Sequence, residues 1–126
     1  MTWKRGEYGI EIVTRTETAA WPGEKSVRRE TVTATGTILN GVLGVHRVGK
    51  RRAVYAVTHL PTGCLVSPSG GFGLQATAKR YAETILLMAD WNAVTRDNTA
   101  RVNFAEMYQI AFRLLSGEVY RERPRV

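Results

Sequence analysis

Apolar and polar residues alternate at a period of two over much of the first half of the chain, and this constrains the fold more than any other feature. Residues 7–14 (EYGIEIVT) place Tyr8, Ile10 and Ile12 on one side. Residues 30–39 (ETVTATGTIL) alternate in the same way, with four threonines on the outward side. A period of two is typical of half-buried strands, and threonine-rich alternation favours strand structure. The pattern therefore predicts two antiparallel strands.

Turn signals indicate how these strands connect to others. We expect residues 15–29, which include Trp21-Pro22-Gly23, to form the loop of a long hairpin. Asn40-Gly41 predicts a type I′ turn, which needs positive φ at both positions. Gly49-Lys50 indicates a second turn, and Leu60-Pro61-Thr62-Gly63 is typical of a type I turn. The segments between these turns predict three more strands, over 42–48, 52–59 and 64–67.

An apolar stripe after the glycine-rich link 68–73 (PSGGFG) predicts the first helix over residues 74–94. The stripe comprises Leu74, Ala78, Tyr81, Ile85, Met88 and Trp91. Because the stripe reaches Trp91, we expect this tryptophan to lie in the core. A connecting loop then runs over residues 95–102.

A capping signal predicts the start of the second helix. Asn103 and Glu106 have the spacing of a variant capping box, and Val102 with Met107 has the spacing of a hydrophobic staple. Gly117 is expected to end this helix. The predicted fold is therefore α+β: an antiparallel β-meander of about four to five strands followed by two C-terminal helices packed on the sheet. We expect one domain over residues 1–117 and a charged C-terminal tail over 118–126.

Composition bounds the class of protein. A chain of 126 residues suits one domain that buries a core without disulfides, and the single cysteine, Cys64, leaves no internal pair. The N-terminal sequence has no apolar segment of the kind found in signal peptides. The longest apolar stretch, near residues 83–91, is too short to span a bilayer. We expect a cytoplasmic protein with no membrane partner.

The net charge of +7 is concentrated in the middle of the chain. No acidic residue occurs between Glu30 and Glu83, and the bases in this interval are Arg47, Lys50, Arg51, Arg52, Lys79 and Arg80. The rest of the chain is almost balanced, with 12 bases and 11 acids. Such segregation indicates an anionic partner. Arginine, which supplies 14 of the 18 bases, suits phosphate because its planar fork binds two oxygens.

The basic hairpin is the main candidate site. Pairing of 42–48 with 52–59 would cluster Lys50, Arg51 and Arg52 at one tip, with Arg47 close by. A two-stranded ribbon fits the major groove of DNA, and a basic tip neutralises phosphates. The alternative is an ordinary solvated turn, since hairpin ends commonly carry cations for solubility. Lys79 and Arg80, near the start of the first helix, would extend the surface or simply follow a flexible joint.

No enzymatic or metal signature is present in the sequence. The spacing of His46, His59 and Cys64 matches no familiar zinc pattern, and SGGFG lacks the lysine and hydroxyl residue of a P-loop. No spaced carboxylate pair lies in the central region. We therefore expect a protein that is not an enzyme and that uses no cofactor and no metal.

Two tryptophans are candidate interface anchors. Trp3 lies beside Lys4-Arg5, and Trp21 lies in the Pro-Gly loop, where an exposed ring would anchor a partner. The stretch ILLMADW, residues 85–91, has apolar residues on more than one side, which also indicates a homodimer surface.

The order of elements over residues 42–86 resembles the small sheet-plus-helix DNA-binding modules of mobile-element integrases. The resemblance rests on a strand, the Pro-Thr-Gly turn, a strand, the glycine loop and a helix containing AKRYA. It implies DNA binding through the sheet and assigns no individual residue. The basic single-domain character also resembles small phage-encoded proteins, some of which inhibit host defence, as anti-CRISPR proteins do. The leading hypothesis is a nucleic-acid-binding protein; the alternative is a protein-interaction module that inhibits a nucleic-acid-handling or host-defence complex.

Overall fold

A computed structural model describes the chain at residues 1–17, 25–48, 54–68, 70–95, 97–98 and 102–122. Five strands and two helices occur in these residues: β1 (Trp3–Glu17), β2 (Lys25–Leu39), β3 (Leu43–Val48), β4 (Val54–His59), β5 (Cys64–Leu65), α1 (Gln75–Leu86) and α2 (Phe104–Glu122). The strands form one antiparallel sheet in the order β1-β2-β3-β4-β5, and the two helices pack on it. The predicted α+β meander is confirmed.

The first hairpin is longer than the sequence pattern predicted. β1 and β2 pair continuously from Trp3↔Leu39 to Glu17↔Lys25. The prediction of a loop over 15–29 is therefore wrong for residues 15–17 and 25–29, which are paired strand. These segments lack clean alternation, so the period of two gave no signal there. Trp21 and the rest of 18–24 lie outside the described residues.

The predicted turns after β2 and β4 are confirmed in place. Asn40 and Gly41 both have positive φ, at 49° and 71°, and the Val42 N–H donates to the Leu39 carbonyl at 3.1 Å. This is the type I′ geometry. In the turn after β4, Gly63 has φ 71° and its N–H donates to the His59 carbonyl at 2.8 Å. The turn at Gly49-Lys50 lies outside the described residues.

The sheet curls so that its first and last strands approach each other. The Glu11 N–H donates to the Gly63 carbonyl at 2.9 Å, which links β1 to the turn before β5. Strands at opposite ends of the sheet order meet only if the sheet is strongly curved. Because of this curvature, β3 and β4 are buried on both faces over most of their length.

The inner face of the curled sheet is filled by Tyr8. Its ring lies over Gly44, where a Cβ would come within 2.5 Å of Tyr8 Cζ, and Gly36 also lies against its hydroxyl. The hydroxyl is 2.9 Å from Nδ1 of buried His46, and the two rings are in edge-on contact at 5.6 Å. Burial raises the pKa of Tyr8 and lowers the pKa of His46, so both groups are neutral at pH 7.

The outer face of the sheet packs against the helices and forms the main core. Leu39, Leu43, Val45 and Val57 lie there with Phe72 and one side of α1. The buried residues of α1 are Ala78, Tyr81, Ala82 and Ile85. The Tyr81 hydroxyl donates to the Val66 carbonyl at 2.6 Å, which ties the helix to the chain after β5. The predicted helix stripe is confirmed at Ala78, Tyr81 and Ile85, whereas Leu74 is exposed.

The first helix ends much earlier than predicted, at Leu86 and not at residue 94. Trp91 is buried in the core as expected, but it lies outside the helix. Its indole Nε1 donates to the Ile85 carbonyl at 2.7 Å, and the same carbonyl accepts the Met88 N–H at 3.0 Å. The Trp91 carbonyl in turn accepts from His59 Nε2 at 2.6 Å. These contacts hold Trp91 in the core just beyond the end of the helix.

The second helix begins as predicted and ends later. The Glu106 N–H donates to Asn103 Oδ1 at 3.1 Å, and Asn103 Nδ2 donates to Glu106 Oε2 at 3.3 Å. Val102 and Met107 are both buried in the same core cluster. The expectation that Gly117 ends α2 is wrong, because the helix continues to Glu122. In the described part of the chain, no helix is long and apolar enough to cross a membrane.

Candidate nucleic-acid interface

The structure describes both strands of the predicted basic hairpin, β3 and β4, but not the residues of its tip. Arg47 is exposed on β3 and pairs across the strands with Tyr55 of β4, which is half-buried. Lys50, Arg51 and Arg52 lie outside the described residues. The stem of the hairpin is therefore established, with one arginine on its outer face, and the predicted role of its tip stays a prediction.

Lys79 and Trp3 are in contact with each other on the side of α1. Lys79 Nζ lies 5.3 Å from the centroid of the Trp3 ring, and Trp3 Nε1 donates to Glu83 Oε1 at 3.2 Å. Trp3 is only partly exposed and packs against the core cluster. Its ring is thus engaged within the chain. Arg80 is exposed on α1.

A groove on the outer face of the sheet brings together residues that are distant in sequence. It has a volume of about 220 Å³. Its lining consists of Arg5, Thr35, Gly36, Thr37, Val45, His46, Arg47, Tyr55 and Gln75. The β2–β3 ladder ends at Thr37↔Val45, although both strands continue beyond it. The groove lies at this point, and we call it the Arg5–Arg47 groove.

The two arginines reach the groove from different strands. Arg5 pairs with Thr37, which pairs with Val45, so these three share the outer face of the sheet. Arg47 lies two residues beyond Val45 and therefore on the same face. Both arginines are exposed, and in the described part of the chain neither forms an ion pair. Their charges are therefore available to a ligand.

The start of α1 borders the same groove through Gln75. The residue before the helix, Leu74, supplies no side-chain cap, and the first turn contains no acidic residue. The first backbone N–H groups of a helix point outward and carry partial positive charge. Leu74 and the first turn of α1 therefore contribute no group that neutralises this charge.

Thr37, which lines the groove, contains an unsatisfied polar atom. Its Oγ1 is buried and makes no hydrogen bond with any described residue. A buried hydroxyl without a partner costs roughly 1–3 kcal/mol. Buried polar groups are nearly always paired, so this exception needs a reason.

Electrostatically, the lining contains two guanidinium groups and no carboxylate. The nearest acid by strand register is Glu7, which pairs with Thr35 and is exposed. A second groove of about 590 Å³ adjoins the first and is lined by Thr2, Lys4, Arg5, Ile38, Asn40 and Gly41. Arg5 borders both grooves. Lys4 pairs with Ile38, the partner of Gly44, and therefore lies on the inner face, so Arg5 and Arg47 form the cationic track of the outer face.

Sequence reasoning found Arg47 but missed Arg5, which lies before the acid-free interval in a part of the chain where bases and acids are almost balanced. The signal that could have found it is strand register. The tight turn at Asn40-Gly41 sets β2 against β3, and the β1–β2 register places Arg5 opposite Thr37. The predicted extension by Lys79 and Arg80 is not part of this groove.

The histidines and the cysteine have structural contacts. His46 and His59 lie on opposite faces of the sheet, as their strand register requires. His59 Nε2 donates to the Trp91 carbonyl, and Nδ1 lies 2.8 Å from Thr62 Oγ1. Within the described ranges, no group of three or more His, Cys, Asp or Glu residues could hold a metal ion.

Fold and site together define a class: an α+β protein with a curled five-strand antiparallel sheet, two helices and a cationic outer face. Comparison with protein families, curated protein sequences and solved structures finds no match.

Proposed function

We propose that this chain is a non-enzymatic nucleic-acid-binding protein whose outer sheet face contacts the phosphate backbone. One observation carries the proposal. The Arg5–Arg47 groove on this face is lined by two arginines from different strands and includes no carboxylate in its lining. A track of separated cations matches the repeating charge of a nucleic-acid backbone better than it matches a single small anion.

The proposed surface also includes an aromatic residue. Tyr55 borders the Arg5–Arg47 groove opposite Arg47 and is half-buried. Aromatic side chains beside a cationic track provide stacking platforms for bases. We include Lys50, Arg51 and Arg52, which lie in the connection between β3 and β4, because they would continue the track beyond Arg47. The proposed protein acts in the cytoplasm and is of phage or mobile-element type.

Salt-dependent binding tests this function. We expect fluorescence anisotropy with labelled duplex DNA, single-stranded DNA and RNA to give binding that weakens steeply with salt. For duplex DNA the slope of log K against log salt is about −0.9 per phosphate contacted. Arg5→Gln with Arg47→Gln should make this slope shallower by about two contacts.

The matched control is Arg113→Gln, which removes an equivalent exposed charge from α2. It should leave the slope almost unchanged. Replacing Lys50, Arg51 and Arg52 by Gln tests the hairpin tip separately. An unchanged slope in the double variant would exclude the groove arginines from the interface, and an unchanged slope in the triple variant would exclude the tip.

The alternative is a protein-interaction module that inhibits a nucleic-acid-handling or host-defence complex. It is favoured by large apolar side chains that are exposed on the helices. Leu87, just after α1, is 79% exposed, and Phe112 on α2 is 59% exposed. Failure to bind any nucleic-acid probe at low salt, together with co-purification of a protein that Leu87→Ser and Phe112→Ser release, would support this function over the first. The homodimer predicted from residues 85–91 stays a prediction that sedimentation tests.

A further inference from the structure

We propose that the Arg5–Arg47 groove is a binding site for one phosphate group, formed by both arginines, the start of α1 and the Thr37 hydroxyl. The inference deepens the proposed function, on which it rests in part, because it assigns one phosphate of the nucleic acid to one defined place. Phosphate chemistry is shared by a terminal phosphomonoester and an internal phosphodiester, and the experiment below separates them.

The position of the arginines supports a single shared anion. Arg5 and Thr37 are direct partners in the β1–β2 ladder, and Arg47 follows Val45, the partner of Thr37 on the other side. The two guanidinium groups therefore flank Thr37 from neighbouring strands on one face. Guanidinium groups form paired hydrogen bonds with phosphate oxygens, and these charge-assisted bonds are roughly twice as strong as neutral ones.

The start of α1 adds backbone N–H donors to the groove. Gln75 lines the groove, and the helix begins there without a capping side chain and without an acid in its first turn. A phosphate at such a position meets free N–H groups and the positive end of the helix dipole. α2 offers no such site, since Asn103 and Glu106 occupy its start.

Thr37 supplies the independent observation that a polar ligand is missing. Its Oγ1 is the one buried side-chain polar atom without a hydrogen bond in the described part of the chain, and Thr37 lines the groove. A change of χ1 rotamer exchanges the positions of hydroxyl and methyl, which lets the hydroxyl donate to a bound oxygen. Ligand binding would then relieve the cost of the unpaired group.

The size of the groove limits the ligand. At about 220 Å³ it is smaller than the pockets of roughly 300–1,000 Å³ that enclose drug-sized molecules. It suits a phosphate with part of the adjoining sugar, whereas a whole nucleotide would extend beyond it.

Two titrations of the full chain test the site. In the first, inorganic phosphate is added and backbone amide shifts are followed by NMR; we expect saturable shifts at Thr37, Arg47 and Gln75. In the second, the protein is titrated with one single-stranded DNA sequence bearing either a 5′-phosphate or a 5′-hydroxyl. Several-fold tighter binding of the phosphorylated strand identifies a terminal phosphomonoester, and equal binding identifies an internal phosphodiester.

Variants separate a ligand-binding role from a structural one. Thr37→Val keeps the shape and removes the hydroxyl, so it should weaken phosphate binding roughly three- to tenfold while raising the melting temperature by roughly 3 °C. Arg47→Gln and Arg5→Gln should each weaken phosphate binding about tenfold or more. Glu7→Gln removes the nearest carboxylate in register and should tighten binding slightly. Arg113→Gln is the matched control and should have no effect.

The site is wrong if inorganic phosphate causes no saturable shifts at the groove, or if Thr37→Val and Arg47→Gln bind phosphate as well as the parent chain. Failure of the proposed function looks different: phosphate would still bind at the groove while no nucleic-acid probe bound at all. Nucleic-acid binding that survives loss of the phosphate site would instead locate the interface elsewhere, at the hairpin tip.

Discussion

The inner and outer faces of the sheet differ in whether their buried polar groups are hydrogen-bonded. On the inner face, Tyr8 and His46 are buried and hydrogen-bonded to each other at 2.9 Å. On the outer face, Thr37 Oγ1 is buried without a partner, beside two arginines and an uncapped helix start. The two regions share strands β1, β2 and β3, so the difference does not come from separate parts of the fold.

This contrast separates stability from binding. Polar groups that satisfy one another within the chain fix the packing, and their loss costs stability. A buried polar group without a hydrogen-bond partner destabilises the folded chain, and a ligand that forms the missing hydrogen bond removes this destabilisation. We therefore expect substitutions at the inner cluster to change the free energy of unfolding and substitutions at the groove to change affinity.

The largest effect is expected at Tyr8. Tyr8→Ala removes the ring that fills the slot over Gly36 and Gly44 and leaves His46 unpaired. It should lower the free energy of unfolding by about 3–5 kcal/mol, as for other large-to-small aromatic substitutions in cores. Urea denaturation followed by tryptophan fluorescence measures this. Phosphate affinity under folding conditions should stay near that of the parent chain.

Tyr8→Phe is the finer variant at the same position. It keeps the ring and removes only the hydroxyl, so the loss should be about 1–3 kcal/mol, the cost of leaving His46 Nδ1 without its partner. A Tyr8→Phe protein as stable as the parent would show that the Tyr8–His46 hydrogen bond contributes nothing. A loss of phosphate binding in a stably folded Tyr8→Phe protein would contradict the separation of the two faces.

The next effect concerns pH. Burial lowers the pKa of His46 below the value of about 6.5 expected in the unfolded chain. As pH falls below about 6.5, His46 binds a proton more readily in the unfolded state than in the folded state, so the free energy of unfolding falls. Through His46 alone, the free energy of unfolding changes by at most about 1.4 kcal/mol per pH unit, and this dependence disappears above about pH 6.5.

His46→Gln should remove that part of the slope. Comparing the free energy of unfolding of the parent and variant between pH 7 and pH 5 measures it, since every other titrating group is shared. Parallel curves for the two proteins would mean that His46 titrates normally in the folded chain. The groove arginines keep their charge throughout this range, and His46, which also lines the groove, is neutral at pH 7.

The elements of the fold could be predicted where a local pattern decides them. Alternation located the interior of β1 and β2, Asn40-Gly41 fixed a turn through its positive φ, and Asn103 with Glu106 capped α2. Strand pairing beyond residue 14 could not be predicted, because those residues pair without an apolar face. The Trp91 indole donates to the end of α1 from just beyond the helix, a contact that helical periodicity does not encode.

The candidate site was only half predictable for a related reason. Arg47 lay in a segment of obvious charge imbalance, whereas Arg5 lay in a locally balanced one. What joins them is the register of three strands, which places both beside Thr37. The unpaired Thr37 hydroxyl and the uncapped start of α1 are properties of packing. Residue type alone reveals neither.

The smallest expected effect compares the two helix starts directly. Ala76 and Ala105 are both exposed and both occupy the second position of their helices, α1 and α2. An aspartate at either position meets the positive end of a helix dipole, so Ala76→Asp and Ala105→Asp should each stabilise the protein by about 0.3–1 kcal/mol. Thermal unfolding measured side by side provides this comparison.

Phosphate affinity distinguishes the two variants. Ala76→Asp places a carboxylate at the helix start that borders Gln75 and the groove, so it should weaken phosphate binding several-fold. Ala105→Asp carries the same charge at the other helix and should leave binding unchanged. Ala76→Asn separates charge from size, and it should bind phosphate almost as the parent does. Equal weakening by Ala76→Asp and Ala105→Asp would mean that net charge, and not the open start of α1, governs binding.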